Sequence, residues 1–191
     1  MSAEQGPGLQ GPGSPWQVGR VRPVLDSPWL RVGLADVTKP SGQFEEHYMV
    51  WLPPAAVVVV LDEPGEHVLL GWRHRFVPDV WGYEIPGGLI EDGEAPAATA
   101  RRELLEETGF RARGLRHLVT FEPAVGIARN PHHVFLARGA EQVDEPTECD
   151  EGVFGWVPMA QVPALIAAGK ITNSGTLVGL LYVLADRAAD A

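Results

Sequence analysis

The chain has 191 residues, of which 45% are hydrophobic, and this length is enough for one substantial core but short for two full domains. It carries 25 acidic and 15 basic residues, and the resulting net charge of -10 argues against general attraction to a nucleic-acid backbone or an anionic membrane. An anionic substrate would therefore need cations at its binding site.

The cysteine content and the apolar runs exclude further classes. Cys149 is the single cysteine, so no intrachain disulfide or Cys-rich zinc site can form, which favours a reducing cytoplasm. The most apolar short run, 55–61, is stopped by Asp62 and falls well below the roughly 18 residues that span a bilayer. Residues 1–15 lack the basic start and apolar core of a signal peptide and are predicted to form a disordered tail.

The next part of the chain, from Trp16 to Arg73, has the character of β-structure. Alternating or β-branched apolar residues predict the strands, and the segments Lys-Pro-Ser-Gly at 39–42 and Glu-Pro-Gly at 63–65 predict turns. The predicted strands are 30–37, 44–52, 57–60 and 68–73. This half is predicted to be a β-meander that builds a sheet rather than a catalytic centre.

The pattern changes at residues 84–88, where Glu-Ile-Pro-Gly-Gly predicts a tight loop. Residues 94–108 are rich in Ala, Leu, Glu and Arg and predict a helix. Pro96 lies near its start, where a missing amide hydrogen is harmless, and Gly109 is placed to end it.

The C-terminal part adds strands and helices in alternation. The predicted elements are strands at 115–121, 133–137 and 153–157, a short helix at 159–168 and a last helix at 174–188. The order predicts an α/β (α+β) fold in which a mixed β-sheet is sandwiched between helices, with an N-terminal antiparallel β region. The predicted organisation is a tail over 1–15, a β region over 16–54 and a main domain over 55–188.

Three glutamates of the predicted helix share one of its sides. Glu103, Glu106 and Glu107 stand at i, i+3 and i+4, and their mutual repulsion costs stability unless a cation neutralises them. Oxygen-only ligation favours Mg²⁺ or Mn²⁺ over zinc. For an arbitrary Glu-rich helix the alternative is a solvated face. Here Gly87 and Gly88 precede the helix and allow the backbone to approach a ligand closely, which favours a metal site.

The same segment resembles the signature of a known family. All fixed positions of the Nudix box, G-x5-E-x7-R-E-U-x-E-E-x-G-U with U apolar, are matched by Gly88, Glu94, Arg102, Glu103, Leu104, Glu106, Glu107, Gly109 and Phe110. The resemblance implies that Glu103, Glu106 and Glu107 bind the catalytic divalent ions and that the Gly87 carbonyl completes a site. It also implies that Arg102 orients a neighbouring carboxylate, while for Glu94 a structural and a catalytic role stay open.

Beyond the box, residues 16–188 resemble the ADP-ribose pyrophosphatase branch most closely. The segments that carry this resemblance are 72–76, 81–88, 121–126, 148–151 and 169–174; Gly87 stands where the branch often has Ala. The resemblance assigns substrate binding to Arg75, Trp81, Glu84 and Pro123. It gives water activation to Glu148 or Glu151, between which spacing does not choose. Without the resemblance, surface charge, aromatic packing and a solvated acidic run are the alternatives for these residues.

The resemblance implies a metal-dependent pyrophosphohydrolase that splits a nucleoside diphosphate linked to another moiety, first of all ADP-ribose into AMP and ribose 5-phosphate. The alternatives are hydrolysis of nucleoside triphosphates or dinucleoside polyphosphates, and a non-catalytic nucleotide-sugar sensor. The sensor is disfavoured because the chain has no basic patch and its box is intact. A cytoplasmic homodimer is expected, in which N-terminal strands cross between subunits, with no nucleic-acid or membrane partner.

Overall fold

The computed structural model describes residues 15–148 and 152–189. Its strands are β1 (Gln17–Asp26), β2 (Arg31–Thr38), β3 (Phe44–Trp51), β4 (Ala55–Leu61), β5 (His67–Arg75), β6 (Val80–Glu84), β7 (Gly87–Leu89), β8 (Phe110–Ala112), β9 (Arg116–Phe121), β10 (Ala128–Arg129), β11 (His132–Arg138), β12 (Ala140–Gln142) and β13 (Val153–Pro158). Its helices are α1 (Pro96–Thr108), α2 (Val162–Ala167), which follows a 3₁₀ turn at Met159–Gln161, and α3 (Ser174–Ala189). Within these residues no helix combines the length and apolarity that crossing a membrane requires.

The chain divides into two compact units, the first of which comprises the described part of Met1–Leu52 together with Ala124–Arg129. Its sheet has the order β1-β2-β3-β10. The first three strands are antiparallel, and β10 pairs with β3 in parallel. Side chains of β2 alternate between the two faces, so that Ala35 and Val37 are buried while β1 is exposed along almost its whole length.

The second unit comprises Pro53–Pro123 and Asn130–Ala191 and is built around a sheet of order β13-β5-β4-β11-β9. The parallel pair β4 and β11 lies at its centre. Because β4 is covered on both faces, it is a continuous apolar run rather than an alternating one. One face, including Val59 and Leu61, packs against Leu180 and Val183 of α3. The other face packs against α1.

The predicted fold class is confirmed, since a mixed sheet lies between α1 and α3 and the N-terminal strands are antiparallel. The prediction of one continuous meander from residue 30 to residue 73 is wrong. Strands β1 to β3 form a meander, but β4 enters the other sheet beside β11, because its two apolar faces require a layer on each side. Residues 84–88 are also not a plain loop, since β6 ends at Glu84 and β7 begins at Gly87.

Helix α1 is defined at both ends by local chemistry. Ala95 precedes it in an extended conformation and Pro96 occupies its first turn. At the other end Gly109 has a φ of 72°, and its backbone N–H donates to the carbonyl of Leu105. A Cβ at position 109 would also overlap the carbonyl oxygen of Asp144. Glycine is therefore required here both for the left-handed cap and for the close approach of the segment around Asp144.

Candidate active site

The innermost acid of α1 is Glu107, whose side chain is almost completely buried. Its Oε1 accepts a hydrogen bond of 2.8 Å from Nη1 of Arg73, and its Oε2 accepts one of 2.9 Å from the backbone N–H of Gly87. Burial raises the pKa of Glu107 to about 7, although the contacts with Arg73 and Gly87 act in the opposite direction. Both oxygens are thus oriented, and the carboxylate is poorly stabilised as an anion.

Two further acids meet Glu107. One carboxylate oxygen from each of Glu103, Glu107 and Glu148 lies within 4.8 Å of the other two. The carboxylate of Glu103 lies directly against the backbone of Gly88, where a Cβ would overlap it. Burial raises the pKa of Glu103, and the neighbouring charge of Glu148 acts in the same direction. We call Glu103, Glu107 and Glu148 the carboxylate cluster.

Glu148 reaches the carboxylate cluster from outside the helix. The carbonyl oxygen of Glu106 accepts hydrogen bonds from the backbone N–H groups of Thr147, at 2.8 Å, and Glu148, at 3.1 Å. The carbonyl oxygen of Gly109, three residues after Glu106, accepts a hydrogen bond of 3.0 Å from the backbone N–H of Val143. The segment before Glu148 is therefore docked on the C-terminal end of α1 by backbone contacts.

The remaining acid of the predicted set, Glu106, is held by Arg102. Nη1 of Arg102 donates to Oε2 of Glu106 at 2.8 Å and to Oε1 of Glu103 at 2.9 Å, while its Nε donates to Oε1 of Glu94 at 3.1 Å. Hydrogen bonds from Arg102 and then Thr99 hold the pKa of Glu94 at about 2. The contacts of Glu94 support the structural role that the sequence left open.

The chemistry of the carboxylate cluster fits a hard divalent cation. Its donors are oxygens, and two of its three acids, Glu103 and Glu107, are buried and have raised pKa values. Like charges held this closely repel each other, and Mg²⁺ or Mn²⁺ would relieve that repulsion with the ligand type that both ions prefer. The backbone of Gly87 packs closely against β4. A Cβ at position 87 would overlap the carbonyl oxygen of Ala56, which explains why this chain has glycine there.

A cavity of about 890 Å³ adjoins the carboxylate cluster. Arg73 connects the two, because it lines the cavity and contacts Glu107 of the carboxylate cluster. The other polar or aromatic side chains of the lining include His74, Arg75, Trp81, Glu84, Thr172 and Asn173. The volume lies within the range of roughly 300 to 1,000 Å³ that is usual for small-molecule sites.

Two features shape the walls of this cavity. Trp81 stacks on Trp72 with ring centroids 6.0 Å apart and an interplanar angle of 20°, and its own side chain remains exposed. Arg75 makes a two-point contact with the buried Glu84, through Nε at 3.0 Å and Nη2 at 2.6 Å. The cavity therefore presents the exposed ring of Trp81 together with the oriented guanidinium group of Arg75.

The predicted site residues are brought together only in part. Glu103, Glu107 and Glu148 meet, and Arg75, Trp81 and Glu84 line the adjoining cavity. Glu106 pairs with Arg102 rather than joining the cluster. The backbone N–H of Gly87 donates to Oε2 of Glu107. Pro123 is exposed and is not part of the cavity lining, and Glu151 lies outside the described residues.

Sequence reasoning missed Arg73. Arg73 lies two residues before Arg75 on β5, and the sequence favoured Arg75 as the residue that contacts phosphate. In the structure Arg73 is 2% exposed and pairs with Glu107, whereas Arg75 lies nearer the solvent. The alternation of a strand cannot tell Arg73 from Arg75, because residues two positions apart point to the same face. Only the packing around β5 distinguishes them.

The family follows from a comparison with known proteins, in which the model of the NUDIX domain matches residues 51–174. The chain belongs to the Nudix family. A CMP-5'-(N-acetyl-N-hydroxy-3-aminopropyl)phosphonate hydrolase of Streptomyces rubellomurinus is 49% identical over 164 residues, which are 85% of this chain and 79% of the relative. An ADP-ribose pyrophosphatase of Mycobacterium tuberculosis is 32% identical over 152 residues, 77% of this chain and 72% of the relative.

Further comparisons agree with this assignment. An ADP-ribose pyrophosphatase of Bacillus subtilis is 30% identical over 159 residues, covering 82% of this chain and 85% of that protein. A crystal structure of an ADP compounds hydrolase superposes with a TM-score of 0.78 at 19% identity, over 93% of this chain and 97% of the other, and shows the shared fold. The predicted relationship is confirmed: the chain is a Nudix hydrolase near the ADP-ribose pyrophosphatase branch.

Proposed function

We propose that this Nudix hydrolase is a metal-dependent pyrophosphohydrolase that cleaves the anhydride between a nucleoside 5'-monophosphate and a second phosphorus-bearing group. The observation that carries the proposal is the carboxylate cluster, whose oxygens lie within 4.8 Å of one another beside the cavity. A divalent cation bound there, Mg²⁺ or Mn²⁺, would supply charge neutralisation for the substrate oxygens and acidify a water molecule.

Residues of this chain would orient the carboxylate cluster, accept a proton from water and bind the substrate. Glu107 is kept in one orientation by Arg73 and Gly87, so the cluster is organised before substrate arrives. Glu148 is the most exposed of the three acids and is placed to accept a proton from the attacking water. Arg75, fixed by Glu84, would contact a phosphate oxygen, and Trp81 would stack against the base.

ADP-ribose is the first candidate substrate. It is favoured by the resemblance to the two bacterial ADP-ribose pyrophosphatases, which span most of this chain. Attack of water on one phosphorus of the diphosphate would break the bridging P–O bond and release AMP and ribose 5-phosphate, the bridging oxygen leaving with one product and the water oxygen with the other.

A cytidine monophosphate joined to a phosphonate is the second candidate. It is favoured by the relative from Streptomyces rubellomurinus, whose name describes such a compound and which is 49% identical. The same attack would then release CMP and the free phosphonate. The two candidates share the anhydride and differ in the base and in the leaving group.

A substrate panel tests the proposal. Purified protein, with Mg²⁺ and after chelation, is incubated with ADP-ribose, a CMP-linked phosphonate, a nucleoside triphosphate and a dinucleoside polyphosphate, and the released monophosphate is measured. The proposal expects metal-dependent release of AMP or CMP from one of the first two compounds. Activity only on the last two, or activity that survives chelation, would contradict it.

We also propose that two copies associate through the first unit. Several large apolar side chains of this unit are exposed: Val18 and Val24 on β1, Phe44 on β3, and Trp16 and Trp29 next to the ends of these strands. A stable monomer rarely exposes this much apolar surface on one sheet, and a second copy of the same sheet is a matching partner. Light scattering should give the mass of a dimer; a monomer at micromolar concentration would contradict this.

A further inference from the structure

The edge strand β9 carries a β-bulge where it pairs with β11. Thr120 lies opposite His133 in this antiparallel pair. His117 lies opposite Phe135, so that three steps along β9 match two along β11. On a regular strand, side chains three positions apart point to opposite faces. The extra residue of the bulge instead turns His117 to the same face of the sheet as Thr120.

The bulge brings two imidazole rings to one hydroxyl group. Nε2 of His117 lies 2.9 Å from Oγ1 of Thr120, and Nδ1 of His133 lies 2.9 Å from the same oxygen. The ring centroids of the two histidines are 6.4 Å apart. Two imidazole nitrogens, one from each of two adjacent strands, are therefore held around a single point.

This histidine pair is anchored to the core on one side and open to solvent on the other. The ring of His117 packs edge-on against the ring of Phe135, with centroids 5.5 Å apart and an interplanar angle of 73°. Phe135 is buried and belongs to the core between the sheet and α1. His117 and Thr120 are exposed, whereas His133 is half-buried. A dissolved ion therefore has access to both ring nitrogens.

The histidine pair is chemically different from the carboxylate cluster. Neither His117 nor His133 belongs to that cluster or lines the cavity beside it. Over residues 15–148 and 152–189, no third His, Cys, Asp or Glu side chain joins the pair. Neutral imidazole binds Zn²⁺, Ni²⁺ and Cu²⁺ through either ring nitrogen, whereas Mg²⁺ prefers oxygen ligands. The two places on the molecule therefore suit different classes of ion.

We propose that His117 and His133 form a binding site for a divalent transition-metal ion, Cu²⁺, Ni²⁺ or Zn²⁺, separate from the carboxylate cluster. A zinc–nitrogen bond is about 2.0–2.1 Å long, so each ring nitrogen moves closer to the point that Oγ1 of Thr120 now occupies, and the hydroxyl turns aside. Water completes the coordination. Among these ions Cu²⁺ binds most tightly. The bound ion joins the edge strand β9 to β11 and thereby stabilises the folded state.

The test measures metal binding directly, in protein freed of other metals and supplied with excess Mg²⁺ to occupy the carboxylate cluster. Calorimetric titration with Cu²⁺ or Zn²⁺ gives the Kd. The electron paramagnetic resonance spectrum of bound Cu²⁺ shows whether nitrogen atoms are its ligands, and coupling to two nitrogens is expected. His117→Gln and His133→Gln should each weaken binding by about 10-fold or more, since loss of even an outer contact at a metal site costs 10- to 100-fold.

Two further variants are controls. His47→Gln removes an imidazole from β3 and should leave the Kd unchanged. Thr120→Val removes the hydroxyl and keeps both rings, so that binding should persist.

Three outcomes would overturn the proposal. These are an unchanged Kd in both His117→Gln and His133→Gln, a Cu²⁺ spectrum without nitrogen coupling, and loss of binding in Thr120→Val. The bulge would then serve only to interrupt strand pairing at the edge of the sheet. If a histidine variant has a lower Tm than the wild type before metal is added, the nitrogen coupling in the wild-type spectrum decides alone.

Discussion

At the scale of single residues, Glu107 combines burial with two oriented contacts. Its oxygens are held by Arg73 and Gly87, so neither is available to solvent in another orientation. An isosteric amide keeps the size of this side chain, but its NH2 group replaces one of the two accepting oxygens and would face the N–H donor of Arg73 or of Gly87. Replacing Glu107 by Gln therefore removes the negative charge together with one hydrogen-bond acceptor.

We expect Glu107→Gln to reduce turnover by more than about 100-fold, because loss of even an outer contact at a metal site costs 10- to 100-fold. The amide cannot supply the anionic oxygen, although its size is the same. Release of monophosphate and binding of Mn²⁺ are the measurements. Glu141→Gln makes the same chemical change on the exposed strand β12 and should leave both unchanged. Full activity of Glu107→Gln would remove Glu107 from the proposed mechanism.

Arg73 is the second residue for which the structure makes a quantitative claim. It is 2% exposed and forms a buried ion pair with Glu107. Removing one partner of a buried pair typically costs about 3–5 kcal/mol, since the other charge stays buried without compensation. Arg73→Met should therefore lower the free energy of unfolding in metal-free protein by about that amount, and Arg73→Lys by less.

Urea denaturation measures this effect. Arg111→Met is the matched control, because Arg111 is exposed on β8 and should change stability by less than about 0.5 kcal/mol. Added Mg²⁺ should recover part of the loss in Arg73→Met, since a cation near Glu107 replaces the missing charge. Equal stability of the Arg73 and Arg111 variants would contradict the importance of the buried pair.

At the scale of elements, α1 and the segment before Glu148 behave as one assembly. Gly109 ends the helix with a φ of 72°, and the carbonyl of Asp144 passes so close that a Cβ would overlap it. The same segment then places Thr147 and Glu148 against the carbonyl of Glu106. The end of the helix and the third acid of the carboxylate cluster therefore depend on the same glycine.

We expect Gly109→Ala to lower both stability and activity. The strained φ alone should cost more than about 1 kcal/mol, and displacement of the segment should move Glu148 away from Glu103 and Glu107. Thermal unfolding and kcat are the measurements. Gly114→Ala is the matched control, because nothing lies within 4 Å of a Cβ built at Gly114. Loss of stability without loss of activity would show that Glu148 does not depend on this contact.

The same elements show how far the sequence determines the site. The register of Glu103 and Glu107 on α1 and the glycines before the helix could be predicted, because helix periodicity and turn chemistry are local. The meeting with Glu148 and the burial of Arg73 could not, because both arise from contacts between segments distant in the chain. Strand β4 pairs with β5 as a meander requires, but its other neighbour is β11 and not β3. Its apolar run indicates burial on both faces but does not identify that neighbour.

At the scale of the whole molecule, the net charge of -10 and the carboxylate cluster both make stability depend on cations. These two contributions can be separated. General screening of surface charge depends on ionic strength alone, whereas the cluster responds to an ion that its oxygens can hold. Protein from which metal ions and chelator have been removed should therefore have a different Tm in MgCl₂ than in NaCl of equal ionic strength if the carboxylate cluster binds Mg²⁺.

We expect MgCl₂ to raise the Tm of chelated protein by several degrees more than NaCl, since an ion at 100 times its Kd stabilises the folded state by about 2.7 kcal/mol. Glu103→Gln should abolish this difference. In the chelated protein the same variant should be at least as stable as the wild type, because it removes one of the mutually repelling acids while Arg102 keeps Glu94 and Glu106 as partners. A chelated Glu103→Gln protein clearly less stable than the wild type would mean that Glu103 is held mainly by Arg102. The acids of α1 would then be stable without a metal, and the case for a cation at the carboxylate cluster would be lost.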